Sequence, residues 1–287
     1  MKRVIKKARD FNELVMFEHT VFSLPFIFIA MFVASNGWFG WKLLVLGVFA
    51  TVTARNFAMS FNRFIDKEFD KENPRTKKRP SVDGRLSAIT INLFIVINAL
   101  FFVIISKYIN ELAFYLSVPF LIILAFYSYV KRFSSLAHIF LGIALGLAPI
   151  AGAIAVEGAV PLWSIFLACG VLFWVAGFDL LYALQDMEYD KEKGLHSIPA
   201  KFGLKKTLLI SKAFHLLSVF FWVLFIYNTA YLSYFAWIGV FVSAMMLLFE
   251  HHLIGKGLEN INKAFFTVNG YLGFVFLFFI IMDLAWI

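Results

Sequence analysis

The sequence has little charge and almost no cysteine. Of its 287 residues, 15% are charged, seven are proline and one is cysteine. The single cysteine, Cys169, excludes an intrachain disulfide, and the apolar run around it predicts a buried structural thiol. Low-complexity runs and a polar linker are also absent. The basic start is followed by no A-x-A-like cleavage site, so we expect the first apolar segment to be retained as a membrane span.

Several motifs that would assign a function directly are missing. The six histidines are scattered and form no H-E-x-x-H pattern, which argues against a zinc site. G-x-G-x-x-G, Walker A and G-x-S-x-G patterns are absent as well. Glu18 and His19 lie at the mouth of the first apolar segment, where either a pocket role or an interfacial role is open.

The sequence is rich in long apolar segments. It is 61% apolar and 19% aromatic, with a mean hydropathy of +0.82, whereas a soluble domain is about 45–50% apolar. A bilayer needs about 20 apolar residues per helix. We therefore predict an all-α, polytopic bundle of about nine transmembrane helices around a central cavity, in a single domain over residues 1–287. The candidate spans are 19–37, 41–61, 87–106, 111–130, 134–156, 160–182, 207–227, 231–250 and 264–284.

The basic residues give the bundle a predicted orientation. All but three of the 26 Lys and Arg residues fall in the N-terminal segment or on alternate loops, the exceptions being Lys42, Arg55 and Lys107. The positive-inside rule then places the N-terminus on the cytoplasmic side and the C-terminus outside. Basic residues spread over membrane-flanking loops account for the net charge of +8, so we expect no nucleic-acid partner.

Two acidic clusters follow long apolar segments with the same i, i+4, i+8 spacing: Asn62, Asp66 and Asp70, and then Tyr182, Asp186 and Asp190. Each step of four residues turns a helix by about 400°, so each triplet is predicted to form one stripe. Two such stripes meeting across a bundle would make a pocket of hard oxygen ligands, which suits Mg2+ and a diphosphate. The alternative for either cluster alone is a solvated helix end.

Basic residues surround these clusters. Arg55 lies within the second span, seven residues before Asn62 and on the same face, and a lone Arg there needs a partner. An anion in the cavity, Asp179 and a structural ion pair are all open. Four further cations beside the pocket are candidates for phosphate or carboxylate contacts: Arg75, Arg79, Lys131 and Arg132. Lys77, Lys78 and Lys205 are interpreted as topology anchors.

These residues resemble the UbiA superfamily of intramembrane prenyltransferases across essentially the whole chain. The resemblance rests on ARNFAMSFNRFIDKEFD with RTKKRP, on YSYVKR, and on DLLYALQDMEYDKEKGLHSIPAKFG. It implies that a polyprenyl diphosphate is held through Mg2+, and that the bilayer and a hydroxyaryl carboxylic acid are the other partners. The metal ligands and catalytic residues would be Asp66, Asp70, Asp186 and Asp190. The substrate-binding residues would be Asn62, Arg55, Arg79, Lys131, Arg132 and Tyr182, with Arg132 on the acceptor's carboxylate.

One difference from the pattern of the superfamily bears on which of its branches the sequence resembles. Many members have Asp directly after the Asn of the first motif, where this sequence has Arg63, so one potential ligand is lost. With FEHTVFSLPF at 17–26 and NPRT at 73–76, the sequence is more similar to the branch that serves menaquinone synthesis through futalosine. The acceptor expected is then a dihydroxynaphthoate, with 4-hydroxybenzoate as the close alternative. Respiratory quinone synthesis implies a bacterial-type inner membrane with the site on the cytoplasmic side.

Two other functions are open on the residues alone. A transporter or channel would use acidic residues at the membrane edge, but here the ionisable residues cluster on one side and trace no path through the bilayer. A purely structural membrane subunit would leave the two acidic clusters without a role.

Overall fold

The computed structural model describes residues 2–16 and 24–286, and this part of the chain contains helices and no strand. Two 3-10 turns, Leu184–Asp186 and Leu258–Asn260, and a π-helical turn, Ala264–Val268, connect some of the helices. In chain order the helices are α1 Lys2–Val15, α2 Leu24–Ala34, α3 Trp41–Ile65, α4 Lys67–Glu72, α5 Ala88–Ile109, α6 Glu111–Val130, α7 Ala137–Glu157, α8 Leu162–Ala183, α9 Met187–Glu192, α10 Ile198–Tyr227, α11 Tyr234–Lys256, α12 Ile261–Lys263 and α13 Asn269–Trp286.

The prediction of an all-α membrane bundle is confirmed. Eight helical stretches of the described residues are long and apolar enough to cross a bilayer. The first expected span is represented by α2, which has 11 residues, and the start of that span, with Glu18 and His19, lies outside the described residues. The seventh expected span, 207–227, lies within α10, whose backbone leaves the helical conformation at Gly203 (φ 74°, ψ 176°), so that only the part after this kink corresponds to the span.

The centre of the bundle is the segment of α8 that packs against α2 and α10. Trp174 lies 5.1 Å from the Phe26 ring, and Phe26 stacks on Trp222 at 6.0 Å. A glycine permits this packing, because a Cβ on Gly170 would come within 2.3 Å of the Trp222 ring. The Ser218 hydroxyl donates to the Gly170 carbonyl at 2.7 Å. Small residues with an interhelical hydrogen bond are the usual way to join helices in lipid, where no hydrophobic force favours association.

The outer surface of the bundle is apolar. Many large side chains point outwards, including Leu93 on α5, Leu216 on α10 and Phe241 on α11. Exposed aromatic residues stand at the helix ends remote from the acidic clusters, such as Trp41 at the start of α3 and Tyr227 at the end of α10. Such an apolar girdle with aromatic residues at its edge matches the bilayer and its interface.

Candidate active site

Each acidic cluster lies where a long helix is interrupted. Helix α3 ends at Ile65, Asp66 leaves the helical region (φ −88°, ψ 7°), and α4 starts at Lys67. In the same way α8 ends at Ala183 and a 3-10 turn precedes α9. The predicted uninterrupted stripes are therefore wrong at these two points. The interruption turns the last acid of each cluster inwards, since Asp70 is 7% exposed and Asp190 is fully buried.

All ten residues predicted to form the site line one cavity of about 290 Å3. It lies between the ends of α3 and α8, the ends nearest the basic loops, and the start of α7 and the end of α6 complete its wall. The part near the loops is charged, and the deeper part is closed by apolar side chains such as Leu141, Leu145 and Val175. The two acidic clusters thus share one cavity, as the sequence predicted.

Every aspartate of the two clusters is paired with a basic residue. The pairs are Arg132–Asp66 at 3.5 Å, Arg79–Asp70 at 2.6 Å, Arg75–Asp186 with Nε 2.9 Å from Oδ1, and Lys131–Asp190 at 2.6 Å. The site is therefore charge-balanced pair by pair. All four cations that the sequence singled out as anion-binding candidates hold a carboxylate in this structure.

The pairs also join the two clusters. Arg75 follows the first cluster in sequence but pairs with Asp186 of the second, and Asn73 donates to the same carboxylate at 3.1 Å. The Tyr189 hydroxyl of α9 donates to the Phe69 carbonyl of α4 at 2.7 Å. The two helix interruptions are consequently held face to face by side chains from both sides.

The electrostatics at Asp66 reflect this crowding. Burial raises the pKa of its carboxyl above the ordinary value, and the neighbouring Asp70 raises it further, while Arg132 and Arg63 act in the opposite sense. Asn62 donates to Asp66 at 2.8 Å and favours its charged form. Arg63 is buried on the other side of Asn62 and donates to its side-chain oxygen at 3.0 Å.

The carboxylates have unused acceptor capacity. Asp70 Oδ2 and Asp190 Oδ2 are buried without a hydrogen-bond partner among the described residues. Lys131 lies close to the other Asp190 oxygen but at an angle unsuited to a directed hydrogen bond. No three His, Cys, Asp or Glu side chains of the described part of the chain converge on one point. Free carboxylate oxygens without a complete cage fit Mg2+, which takes a few carboxylates and completes its shell with water and phosphate oxygens.

Arg55 differs from the other cations of the cavity. It forms no ion pair with any described carboxylate, and its Nε has no hydrogen-bond partner there. The possibility that Asp179 pairs with Arg55 is wrong, because Asp179 Oδ2 lies 2.7 Å from His138 Nδ1. A second cavity of about 120 Å3, otherwise almost wholly apolar, shares Arg55, Met59 and Tyr127 with the first. Arg55 thus stands between a polar and an apolar compartment.

Sequence reasoning missed three parts of the cavity. It named His138 only as one of six scattered histidines, although His138 is buried in the wall and bonded to Asp179. It did not single out Asn73 or the aromatic pair Phe178 and Phe265. A polar residue inside an apolar span, such as His138, was the available signal. Phe178 and Phe265 gave no such signal, because the chain contains 37 phenylalanines.

The helical bundle and the charged cavity at its interrupted helices define a polytopic membrane enzyme. Residues 23–286 match the UbiA prenyltransferase family. The chain belongs to this family and is a prenyltransferase, which excludes the transporter and structural-subunit alternatives.

Three known proteins are similar to this chain over most of its length. It is 30% identical over 253 residues to the 4-hydroxybenzoate octaprenyltransferase of Polynucleobacter necessarius subsp. necessarius (strain STIR1), with 86% of each chain covered. The apo structure of a UbiA homolog from Aeropyrum pernix K1 superposes with a TM-score of 0.84 at 29% identity, covering 93% of this chain and 98% of that one. A UbiA homolog from Archaeoglobus fulgidus bound to DMAPP and Mg2+ shares the fold at 20% identity, with a TM-score of 0.74 and coverage of 97% and 100%.

Proposed function

We propose that the protein transfers a polyprenyl group from a polyprenyl diphosphate to the ring of a hydroxyaromatic carboxylic acid, with Mg2+, in respiratory quinone synthesis. The observation that carries this proposal is the set of four aspartate–cation pairs around one cavity that continues into an apolar one. The Polynucleobacter relative supports a 4-hydroxybenzoate acceptor by its name. Arg63 and the NPRT segment favour a dihydroxynaphthoate instead.

The diphosphate is assigned to the charged part of the cavity. Asp66, Asp70, Asp186 and Asp190 would hold Mg2+, with Asn62 supporting Asp66. Bound there, the metal supplies positive charge that neutralises the leaving diphosphate. Arg79 and Lys131 are within 2.6 Å of carboxylates that the metal would take over, so both become available to phosphate oxygens. Arg55, which has no carboxylate to leave, is the third phosphate contact.

The prenyl chain is assigned to the apolar compartment beyond Arg55. Its wall is built largely from alanines of α3 and α7, including Ala54, Ala58, Ala144 and Ala148. These short side chains leave room for a branched hydrocarbon without a polar group to bury. A cavity of about 120 Å3 is too small for a chain of many isoprene units, so the remainder of a long chain would lie in the bilayer.

The acceptor is assigned to the side of the cavity formed by Arg132 and Asp179. The Arg132 guanidinium lies over the Phe69 ring at 5.2 Å, and a guanidinium suits a carboxylate because it can donate two parallel hydrogen bonds. The Asp179 side chain is 23% exposed and is oriented by His138, which is 6% exposed. When the donor's C1–O bond breaks, its electron pair leaves with the diphosphate. A ring carbon of the acceptor then bonds to C1, and Asp179 would take the proton that the acceptor loses.

An assay of the purified protein in lipid nanodiscs tests this function. The donors are polyprenyl diphosphates of different lengths, and the acceptors are 4-hydroxybenzoate, a dihydroxynaphthoate and benzoate as a control without a hydroxyl. We expect a prenylated acid with one of the first two acceptors only, loss of product in EDTA, and recovery with added Mg2+. Prenylation that persists without a divalent ion would reject the metal assignment. Failure with every aromatic acid would reject the acceptor class.

A further inference from the structure

Three aromatic rings meet where the charged part of the cavity becomes apolar. The ring centroids of Tyr182 and Phe265 are 4.3 Å apart, and Phe178 meets Phe265 edge-on at 5.3 Å. All three rings line the 290 Å3 cavity. The guanidinium of Arg75 lies over the Tyr182 ring at 5.5 Å, and Arg75 is bonded to Asp186. This aromatic cluster therefore adjoins the place assigned to the diphosphate.

Phe265 reaches the cluster through an unusual piece of backbone. Residues Ala264–Val268 form a π-helical turn between α12 and α13. A π turn inserts one residue into a helical path, so the side chains on its two sides are offset by about 100°. Phe265 is 6% exposed and faces the cavity, whereas its neighbour Phe266 is 39% exposed. The turn thus decides which of two successive phenylalanines lines the cavity.

A buried amide holds this turn. Asn269 is fully buried, and its Nδ2 donates to the Ala264 carbonyl at 3.4 Å and to Glu250 Oε1 at 2.7 Å. Its Oδ1 accepts from Trp174 Nε1 at 2.7 Å. Polar groups inside a membrane bundle are costly unless they are bonded. Three contacts on one side chain indicate that the π turn is a fixed feature of the fold and not a frayed helix end.

We propose that Phe265, with Phe178 and Tyr182, is a catalytic residue that stabilises the allylic cation formed from the prenyl donor. The proposal rests on the prenyl transfer proposed above. As the C1–O bond breaks, its electron pair leaves with the diphosphate and positive charge develops over C1 and C3 of the donor. The negative face of an aromatic ring attracts such a charge, most strongly where water is excluded. The charge is removed when the acceptor ring supplies the electron pair of the new C–C bond.

The cluster continues the aromatic core of the bundle, since Trp174 meets Phe178 edge-on at 5.1 Å. It differs from that core in position, because Phe26, Trp174 and Trp222 line neither cavity. Tyr182, Phe178 and Phe265 line the same cavity as Arg75 and the apolar residues Leu141 and Val175. A donor whose diphosphate lies among the charged residues and whose chain lies below them has its reacting carbon at this level.

Fluorinated phenylalanines test the role of the ring. In the full-length protein in nanodiscs, Phe265 is replaced by phenylalanine analogues with one, two and three ring fluorines. Fluorine withdraws charge from the ring face with little change in shape, so we expect the single-turnover transfer rate to fall stepwise, by about tenfold to thirtyfold in total. The same series at Phe266 is the matched control, with rates expected to stay within about twofold of the wild type.

Binding of a non-ionising donor separates catalysis from packing. We expect Phe265→Leu to lower the transfer rate by about tenfold or more, and Phe265→Tyr to keep most of it. The affinity for a prenyl S-thiolodiphosphate should be unchanged in both variants. If fluorination at Phe265 leaves the rate unchanged in a protein that prenylates its acceptor, this inference is overturned and the proposed function stands. If the wild type prenylates no aromatic acid, it is the proposed function that fails.

Discussion

Lys131 Nζ lies 2.6 Å from Oδ1 of Asp190, a carboxylate that is wholly buried. Arg79 and Asp70 repeat this relationship in the other cluster, also at 2.6 Å. In both cases the acid is the last of its motif, and the cation belongs to a segment outside the motif. The two clusters are therefore equivalent not only in spacing but also in the way the innermost acid is neutralised.

Removing the charge of any one acid should disable the site without disrupting insertion. We expect Asp66→Asn, Asp70→Asn, Asp186→Asn and Asp190→Asn each to lower turnover on the order of 100-fold, because each removes a charged oxygen ligand. The measurement is the initial rate at limiting Mg2+, with membrane yield as the check on folding.

The chain supplies matched controls for these variants. Glu68 and Glu188 each lie two residues before the last acid of a cluster, but both are exposed and neither lines the cavity. Glu68→Gln and Glu188→Gln should keep near wild-type rates. Full activity in any two of the aspartate variants would refute the assignment of both clusters to the metal.

Arg132 should recognise the carboxylate of the acceptor. We expect Arg132→Ala to raise the acceptor KM by roughly tenfold, since a charge-assisted contact at a partly exposed side chain is worth less than a fully desolvated one. The donor KM should change little. The measurement is the pair of KM values in the same membrane preparation.

The structure also shows a structural role for Arg132, which is the alternative to carboxylate recognition. Arg132 also donates to the Ile65 carbonyl at 2.7 Å, at the end of α3, so its loss could loosen the helix end itself. An acceptor without the carboxylate distinguishes the two roles, because recognition predicts equal rates for wild type and variant with that acceptor. An Arg132→Lys variant that behaves as the wild type towards both substrates would remove the recognition role.

His138 and Asp179 should act as a unit. We expect His138→Leu and Asp179→Asn each to lower kcat by about tenfold to a hundredfold, since each removes one partner of the 2.7 Å contact. The double variant should cost little more than the more severe single one, because coupled residues are not additive. A double-mutant cycle of single-turnover rates measures this coupling. Strict additivity would show that the two side chains work independently.

The C-terminus should lie outside and the acidic clusters inside. Arg85 holds α1 beside the acidic clusters through Glu13 at 2.7 Å and Asp10 at 3.2 Å, whereas α3 starts at the remote end of the bundle. The described helices on either side of α2 therefore have their ends at opposite sides of the bundle, and we expect one crossing between them. We expect a reporter after Ile287 to read as extracytoplasmic and one inserted after Gly84 to read as cytoplasmic. Two cytoplasmic readings would refute the nine-crossing topology.

The membrane class, the two clusters and their shared cavity could be predicted from the sequence because each depends on a local pattern. Apolar length predicts a span, and a four-residue spacing predicts a shared face. The interruptions at Asp66 and Asp186 could not be predicted in this way, since no Gly or Pro marks either position. Their geometry follows from contacts between distant segments, such as Asn73 with Asp186 and Tyr189 with Phe69.

The pairing of ionisable side chains across the bundle could not be predicted from the sequence either. Arg55 and Asp179 are both ionisable residues of apolar spans, and one was a reasonable partner for the other. In the structure Asp179 is instead hydrogen-bonded to His138, and Arg55 has no acidic partner in the described chain. That Phe265 and not Phe266 faces the cavity depends on a π turn that neither periodicity nor composition reveals.

The four aspartate–cation pairs have a consequence for the order and strength of ligand binding. Under the proposed function, a carboxylate that takes Mg2+ would give up its Arg or Lys, and that cation would then attract phosphate. Metal and donor are thus thermodynamically linked, and the factor by which one raises the affinity of the other must be the same in both directions. Either ligand alone meets a site whose opposite charges already satisfy each other. Under the proposed function, the charges that favour ionisation would be assembled only when both ligands are bound.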